Sequence, residues 1–204
     1  MPVLDKHDFF STLSTSPQKI TLDIGCGPGK KNEQWIGIDA LDFDGVDIVG
    51  DVFEVLEKFP AQSVDAVFSS HFFEHITGVD RLLSEIGRVL KPGGTLKVIV
   101  PHFSNPYFYS DYTHKNFFGL YSFSYLADEN LFTRKVPRYQ VVSAFEITRV
   151  YLRFQSPFYV RGLIYRLYGH LINAGYYLKE LYEENFSRIV YCYEIEYDLV
   201  KKVV

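Results

Sequence analysis

Cysteine is scarce in this 204-residue chain, with Cys26 and Cys192 its only two. Two thiols cannot build the disulfide framework of a small secreted fold, so a reduced, cytoplasmic protein is expected. Long apolar runs are missing as well: no stretch reaches the ~20 residues of a membrane span. Residues 1–18 lack the basic-then-apolar order of a secretory signal. Excess positive charge is also absent. With 21 Lys and Arg against 25 Asp and Glu, the net charge is −4. That leaves no strong nucleic-acid signal, because binding held mainly by charge needs a basic surface. The length suits one domain, taken as residues 1–204.

Two more absences sharpen the main glycine-rich stretch, residues 20–29, Ile-Thr-Leu-Asp-Ile-Gly-Cys-Gly-Pro-Gly. A dinucleotide fingerprint needs glycine at position 30, where Lys30 stands. A Walker A loop needs glycine where Ile24 is, and Ser or Thr where Lys31 is. What is present is a short apolar alternation, Ile20, Leu22 and Ile24, which reads as a buried strand. Gly25, Gly27 and Gly29 then let the backbone turn and approach a ligand, and Asp23 offers a fixed acceptor beside them. Ligands of open α/β sheets lie outside the carboxyl ends of the strands, so this stretch reads as a cofactor loop.

Residues 35–39 form a second apolar run, ending in Asp39 and followed by Ala40. A carboxylate there suits the two hydroxyls of a ribose; the plainer reading is a strand-end turn aspartate. Only five residues separate Gly29 from Trp35, too few for the usual crossover helix. Residues 46–52 read as a third strand ending in Gly-Asp, and residues 53–59 as a short helix. Residues 64–70 read as a fourth strand, ending at Ser70. His71-Phe72-Phe73-Glu74-His75 follows, and these letters also spell an inverted zinc-protease motif. That chemistry needs both imidazoles on one helix, whereas here a strand ends one residue earlier, so no metal is expected. Residues 79–90 carry a helical apolar stripe, Lys91-Pro92-Gly93-Gly94 stops it, and residues 95–101 read as a fifth strand.

The Asp-x-Gly-x-Gly-x-Gly loop, the Gly-Ile-Asp run and the block Arg-Val-Leu-Lys-Pro-Gly-Gly-Thr-Leu together resemble the class I S-adenosylmethionine (SAM)-dependent methyltransferases, over residues 20–101. The short crossover is similar to a methyltransferase type 11-like branch, whose members often serve glycan and cell-surface biosynthesis. The resemblance implies an α/β fold. Its core is a Rossmann-like seven-stranded sheet, mostly parallel, with an antiparallel last strand and an aromatic helical insertion near the C-terminus. It implies SAM as cofactor, with residues 19–101 as the cofactor half and residues 102–204 as the substrate side. It also implies cofactor contacts from Asp23, Gly25, Cys26, Gly27, Gly29, Asp39, Ala40, Asp51, Val52, Ser70 and His71. Among these, Asp51 would accept from the adenine amino group and the Val52 amide would meet the ring.

Beyond residue 101 the chain becomes rich in aromatics. Methyl transfer to oxygen requires removal of a hydroxyl proton, and a neutral imidazole oriented by a carboxylate is the commonest means. Asp111 and His114 are the preferred orienter and base, as the branch's similar Asp-x-Thr-His suggests. Hydrogen-bond stitching of the loop is the alternative, and His71 and His102 are competing bases. Phe103, Tyr107, Tyr109 and Tyr112 are candidates to stack on a sugar face or enclose the methyl cation. Residues 119–132 read as a helix, and residues 140–154 and 188–200 as the closing strands. Residues 158–185 read as helical, with a leucine stripe suited to the sheet, a second copy in a homo-oligomer, or an anionic membrane surface. The expected activity is O-methylation of a sugar, glycan or other small hydroxyl acceptor. The alternatives are methylation of RNA or a small metabolite, and a non-catalytic SAM-binding partner subunit.

Overall fold

The computed structural model describes residues 2–12, 19–137 and 144–203. Its strands are β1 (Leu4–Asp5), β2 (Thr21–Ile24), β3 (Ile36–Asp39), β4 (Ile48–Val49), β5 (Val64–Ser70), β6 (Leu90–Pro101), β7 (Phe145–Arg153) and β8 (Glu194–Lys201). The helices are α1 (Phe9–Thr12), α2 (Val52–Glu57), α3 (Val79–Val89), α4 (Tyr159–Asn173) and α5 (Tyr176–Asn185). The strands form one sheet in the order β1-β4-β3-β2-β5-β6-β8-β7. From β4 to β6 every pairing is parallel, and β8 runs antiparallel to both of its neighbours.

Among the described residues the sheet has eight strands rather than the expected seven. The addition is β1, which pairs antiparallel with β4 through Leu4↔Val49 and Asp5↔Ile48. Two residues are too short to show a period-2 pattern, so the sequence gives no warning of it. The central strands are buried on both faces: Leu22, Ile24, Ile38, Ile48, Val67 and Val98 share one face of the sheet, and Val49, Phe68 and Ile99 are buried on the other. That is the usual state of parallel strands covered on both sides.

Residues 25–35, between β2 and β3, contain no helix, in line with the short spacing. In its place the side chain of Lys30 lies across Gly37, where an added Cβ would meet Lys30 Cγ and Cδ at 2.8 Å. Its ammonium reaches Asp47 Oδ2 at 2.9 Å, and the same oxygen accepts from the Gly37 amide at 2.7 Å.

α3 buries Leu82, Leu83, Ile86 and Val89 on one stripe. It ends at Val89, and Lys91-Pro92-Gly93-Gly94 is not a separate turn but an excursion within β6. Val64 pairs with Leu90, yet Ala66 pairs with Thr95, so the excess residues of β6 bulge out. Gly93 takes φ 76° there, a conformation that favours glycine. Arg88 donates to the carbonyls of Leu56 and Phe59, satisfying acceptors at the end of α2.

The helix expected over residues 119–132 is absent; only Phe123–Tyr125 makes a 3-10 turn. Phe118, Leu120, Phe123, Ala127 and Phe132 are instead buried at irregular spacing, which an extended, turning chain satisfies and a helix does not. Of the expected closing strands, residues 140–143 lie outside the described residues, and residues 188–193 are a loop. Asn105 Nδ2 donates to Tyr193 O, and Ser104 Oγ accepts from the Cys192 amide, fixing that loop before β8 begins. Residues 158–185 split into α4 and α5 at Ala174 and Gly175.

A charged ladder ties the antiparallel end of the sheet together. Glu196 on β8 accepts from Lys97 on β6 and from Arg153 Nε on β7 at 3.1 Å. Asp198 accepts from Lys97 at 3.1 Å and from Arg149 at 3.2 Å. Burial alone would raise the Glu196 carboxyl, but its hydrogen bonds to Lys97 and Arg153 outweigh that and hold it below the usual value of 4.5. A lowered folded-state value means stability that is present above the unfolded value and lost as pH falls through the folded one. Glu196→Gln is therefore expected to cost about 2 kcal/mol at neutral pH. The gap to wild type should close below pH 4.5 in urea unfolding followed against pH. A gap independent of pH would remove this account of the ladder.

Candidate active site

The glycine loop is held by carboxylates. Gly25 and Cys26 donate their amides to Ile38 O at 2.8 and 3.2 Å, which lays the loop over the end of β3. The Gly27 amide reaches Asp39 Oδ2 at 2.9 Å, while Asp39 Oδ1 accepts from the Leu41 amide at 2.9 Å. The Lys31 amide donates to Asp23 Oδ2 at 2.7 Å. Burial pushes the Asp23 carboxyl up, against the opposing Lys31 amide and the charges of Lys31 and Lys30. Gly25 and Gly27 have φ of 70° and 57°. At Gly25 an added Cβ would also lie 2.4 Å from the Phe72 ring, so this residue has neither the conformation nor the room for a side chain.

Two clefts open at this edge of the sheet. Gly25, Asp39, Ala40, Asp51, Val52, Phe72 and Ile76 are among the residues lining the first. Asp23, Gly25, Cys26, Gly29, Lys30, Lys31 and Ser70 are among those lining the second. Of the residues expected to hold the cofactor, only Gly27 and His71 line neither. Gly27 serves from within the loop, through its bond to Asp39. Burial, and then the charges of Asp23 and Asp39, push the Cys26 thiol up to about 12, so it is a neutral wall atom and not a nucleophile.

Three expectations need correction. His71 lines neither cleft and is drawn to two carboxylates: its Nε2 lies 2.9 Å from Glu194 Oε1 on β8, and its Nδ1 lies 3.4 Å from Glu74 Oε1. A hydrogen bond to Glu194, then one to Glu74, raises it to about 9, so it is a cation at neutral pH and cannot serve as a base. Asp51 is not free for adenine alone; its Oδ1 caps α2 by accepting from the Phe53 and Glu54 amides. The four aromatics form no single wall. Tyr107 meets the rings of Tyr191 and Tyr193, Tyr109 meets Phe108 and Phe117, Phe103 lies against His102, and Tyr112 is 97% exposed.

The segment from His71 to His75 is a turn and not a helix, so the paired imidazoles of the zinc-protease motif do not form. His75 turns instead toward the acceptor loop. Thr113 Oγ1 donates to Asp111 Oδ1 at 2.6 Å and lies 2.9 Å from His75 Nδ1. With its proton committed to Asp111, the hydroxyl can only accept, which leaves Nε2 of His75 as a free lone pair. His114 Nδ1 donates to Phe108 O at 2.8 Å, which likewise leaves its Nε2 as the acceptor. The two rings are 4.8 Å apart. Asp111 is therefore not behind His114 as an orienter; its Oδ2 lies 3.6 Å from the reactive Nε2, and a backbone carbonyl does the orienting. Hydrogen bonds from Thr113 hold the Asp111 carboxyl below its usual range. One ligand atom each from Glu74, His75 and His114 falls within 4.8 Å of the others.

His102 is fully buried, and both nitrogens are engaged. Its Nδ1 accepts from Ser104 N at 3.1 Å, so Nε2 carries the proton, 3.1 Å from Glu183 Oε2. No lone pair is left for a substrate. His114 is joined to the first cleft through its neighbours: Lys115 and Asn116 donate their amides to Glu74 O, and Asn116 Nδ2 donates to Phe73 O and Ile76 O. Sequence reasoning missed Phe72, Ile76, His75 and Thr113. The first two carry no polar atom to mark them, and the last two gain meaning only from the Asp111 contact.

With this geometry in view, the chain can be set beside known proteins. Residues 22–98 match the family described as a methyltransferase domain, and SAM is its cofactor. No protein of curated function matches the chain by sequence. Among solved structures, the fold is shared with a SAM-dependent methyltransferase from Archaeoglobus fulgidus, at 21% identity over 91% of this chain and 87% of that one, with TM-score 0.57. It is shared with the YcgJ protein of Bacillus subtilis at 16% identity, 96% and 97% coverage and TM-score 0.53. Phosphoethanolamine N-methyltransferase 2 of Haemonchus contortus, solved with phosphomonomethylethanolamine and S-adenosylhomocysteine, aligns at 18% identity and TM-score 0.52. This chain covers 93% of itself in that match but only 51% of the worm enzyme.

The residues present fit that cofactor. An added Cβ at Gly29, which lines the second cleft, would find no protein atom within 4 Å, so there is room for a ligand beside Asp23 and Ser70. Asp39 still offers lone pairs toward the first cleft after its two amide bonds. Asp39→Asn should weaken SAM binding by about tenfold or more in calorimetry, since one charged acceptor is lost. Gly25→Ala should abolish binding and lower the melting temperature. Unchanged affinity in both variants would place the cofactor elsewhere.

Proposed function

We propose that this protein transfers the methyl group of SAM to a hydroxyl oxygen of a sugar or other small acceptor, as in cell-surface glycan biosynthesis. The observation that carries this reading is the placement of His114, whose Nδ1 is bonded to a carbonyl and whose Nε2 lies beside the Asp111 carboxylate. SAM, when bound, supplies a methyl group on a sulfonium that needs no further activation. The chain then has to align the acceptor and take its proton. His114 Nε2 accepts that proton from the hydroxyl, and the imidazolium so formed is stabilised by Asp111 Oδ2 at 3.6 Å. His75, packed against it with the rings tilted at 57° and fixed through Thr113, keeps the ring in place. An N-methyl acceptor would have less need of this base, because an amine can attack before losing its proton.

The test is transfer of labelled methyl from SAM into fractionated host extract, with wild type and His114→Ala in parallel. Label should enter a glycan or lipid-linked fraction. His114→Ala should lower kcat roughly a hundred- to ten-thousand-fold while leaving SAM affinity within about twofold. Asp111→Asn should fall between, at about tenfold. Label in RNA or an amine metabolite, or full turnover by His114→Ala, would reject the O-methyl reading. SAM binding without transfer to any fraction would favour a partner subunit.

A further inference from the structure

Helix α4 is apolar on two opposite sides. Tyr165, Gly169 and Ile172 are buried, and Phe154 at the end of β7 packs against Gly169, where an added Cβ would lie 3.1 Å from its ring. At about 100° per residue, Tyr159, Leu163, Leu167, Val160, Leu171 and Ile164 fall on a single arc of roughly 140° whose centre is opposite that packed side. Each of the six is more than half exposed. Of the three partners open to the leucine stripe, the sheet is not the one it meets: the stripe faces outward, and a second apolar set holds the helix down.

The charges around this face have one sign. Arg166 borders the arc on one side and Arg161 borders it on the other, while His170 falls just inside it, between Tyr159 and Leu163. Residues 154–178 contain Arg161 and Arg166 and no Asp or Glu, in a chain whose net charge is −4. A second copy would set these cations against each other. It would also find too little area: a helix this long offers a strip of roughly 22 by 10 Å, against about 800 Å² per partner in a stable dimer. An interfacial helix needs only an apolar face sunk into the acyl boundary, with arginines at the headgroups.

We propose that the outer face of α4 docks this protein on an anionic lipid surface, with Leu163 and Leu167 at the centre of the contact. The proposal is independent of the methyl-transfer reading, because vesicle binding is measured with no acceptor or cofactor present. In co-sedimentation, the purified full chain should bind phosphatidylcholine vesicles containing about 30% phosphatidylglycerol at least tenfold more strongly than phosphatidylcholine alone. Leu163→Glu with Leu167→Glu should reduce that binding more than tenfold, with an unchanged thermal melt showing that the fold survives. Arg166→Ala should weaken it about fivefold. No binding to anionic vesicles, or equal binding by the folded double variant, would overturn the proposal. So would a wild-type dimer that the double variant converts to monomer without any vesicle binding.

Discussion

The glycine loop depends on three carboxylates, because the helix that usually follows such a loop is missing. A helix N-terminus would supply donors and a dipole to fix the turn; here Asp39 holds Gly27, Asp23 holds Lys31, and Asp47 anchors Lys30. The consequence reaches the sheet. Lys30 covers Gly37 on β3 in place of helical packing, and Asp47 joins that cover to the edge of β4. Shape and charge at the cofactor edge are therefore set by the same few side chains.

Four histidines lie near that edge, and their surroundings give them different states. His71 is clamped between Glu74 and Glu194 and is cationic. His102 is sealed in the core with both nitrogens used. His75 and His114 each have Nδ1 satisfied and Nε2 free. Chemistry that requires an open imidazole nitrogen has only this adjacent pair to draw on among the four, and the acidic loop residue Asp111 reaches both, one directly and one through Thr113.

Much of the cofactor half was legible because its signals are local. Apolar alternation gave β2, a terminal carboxylate marked Asp39, and a five-residue spacing excluded a crossover helix. The α3 stripe was read correctly to within a residue of its end. The acceptor half was less legible. Residues 119–132 read as a helix, yet Phe118, Phe123 and Phe132 are pulled into the core one by one at irregular spacing and leave an irregular chain. The leucines of α4 look like a core stripe, but Tyr165, Gly169 and Ile172 occupy the packed side, since shape against Phe154 favours a glycine and not a leucine there.

The sequence by itself determined the order of elements from β2 to β6, the turn that carries the glycines and the carboxylates that meet it. These follow from spacing and backbone freedom within a few neighbouring residues. Tertiary structure alone decided the eighth strand, the diversion of His71 to Glu194 and the pairing of His75 with His114. Each of those joins groups dozens of residues apart, where the protonation and exposure of a side chain depend on partners that no local pattern records.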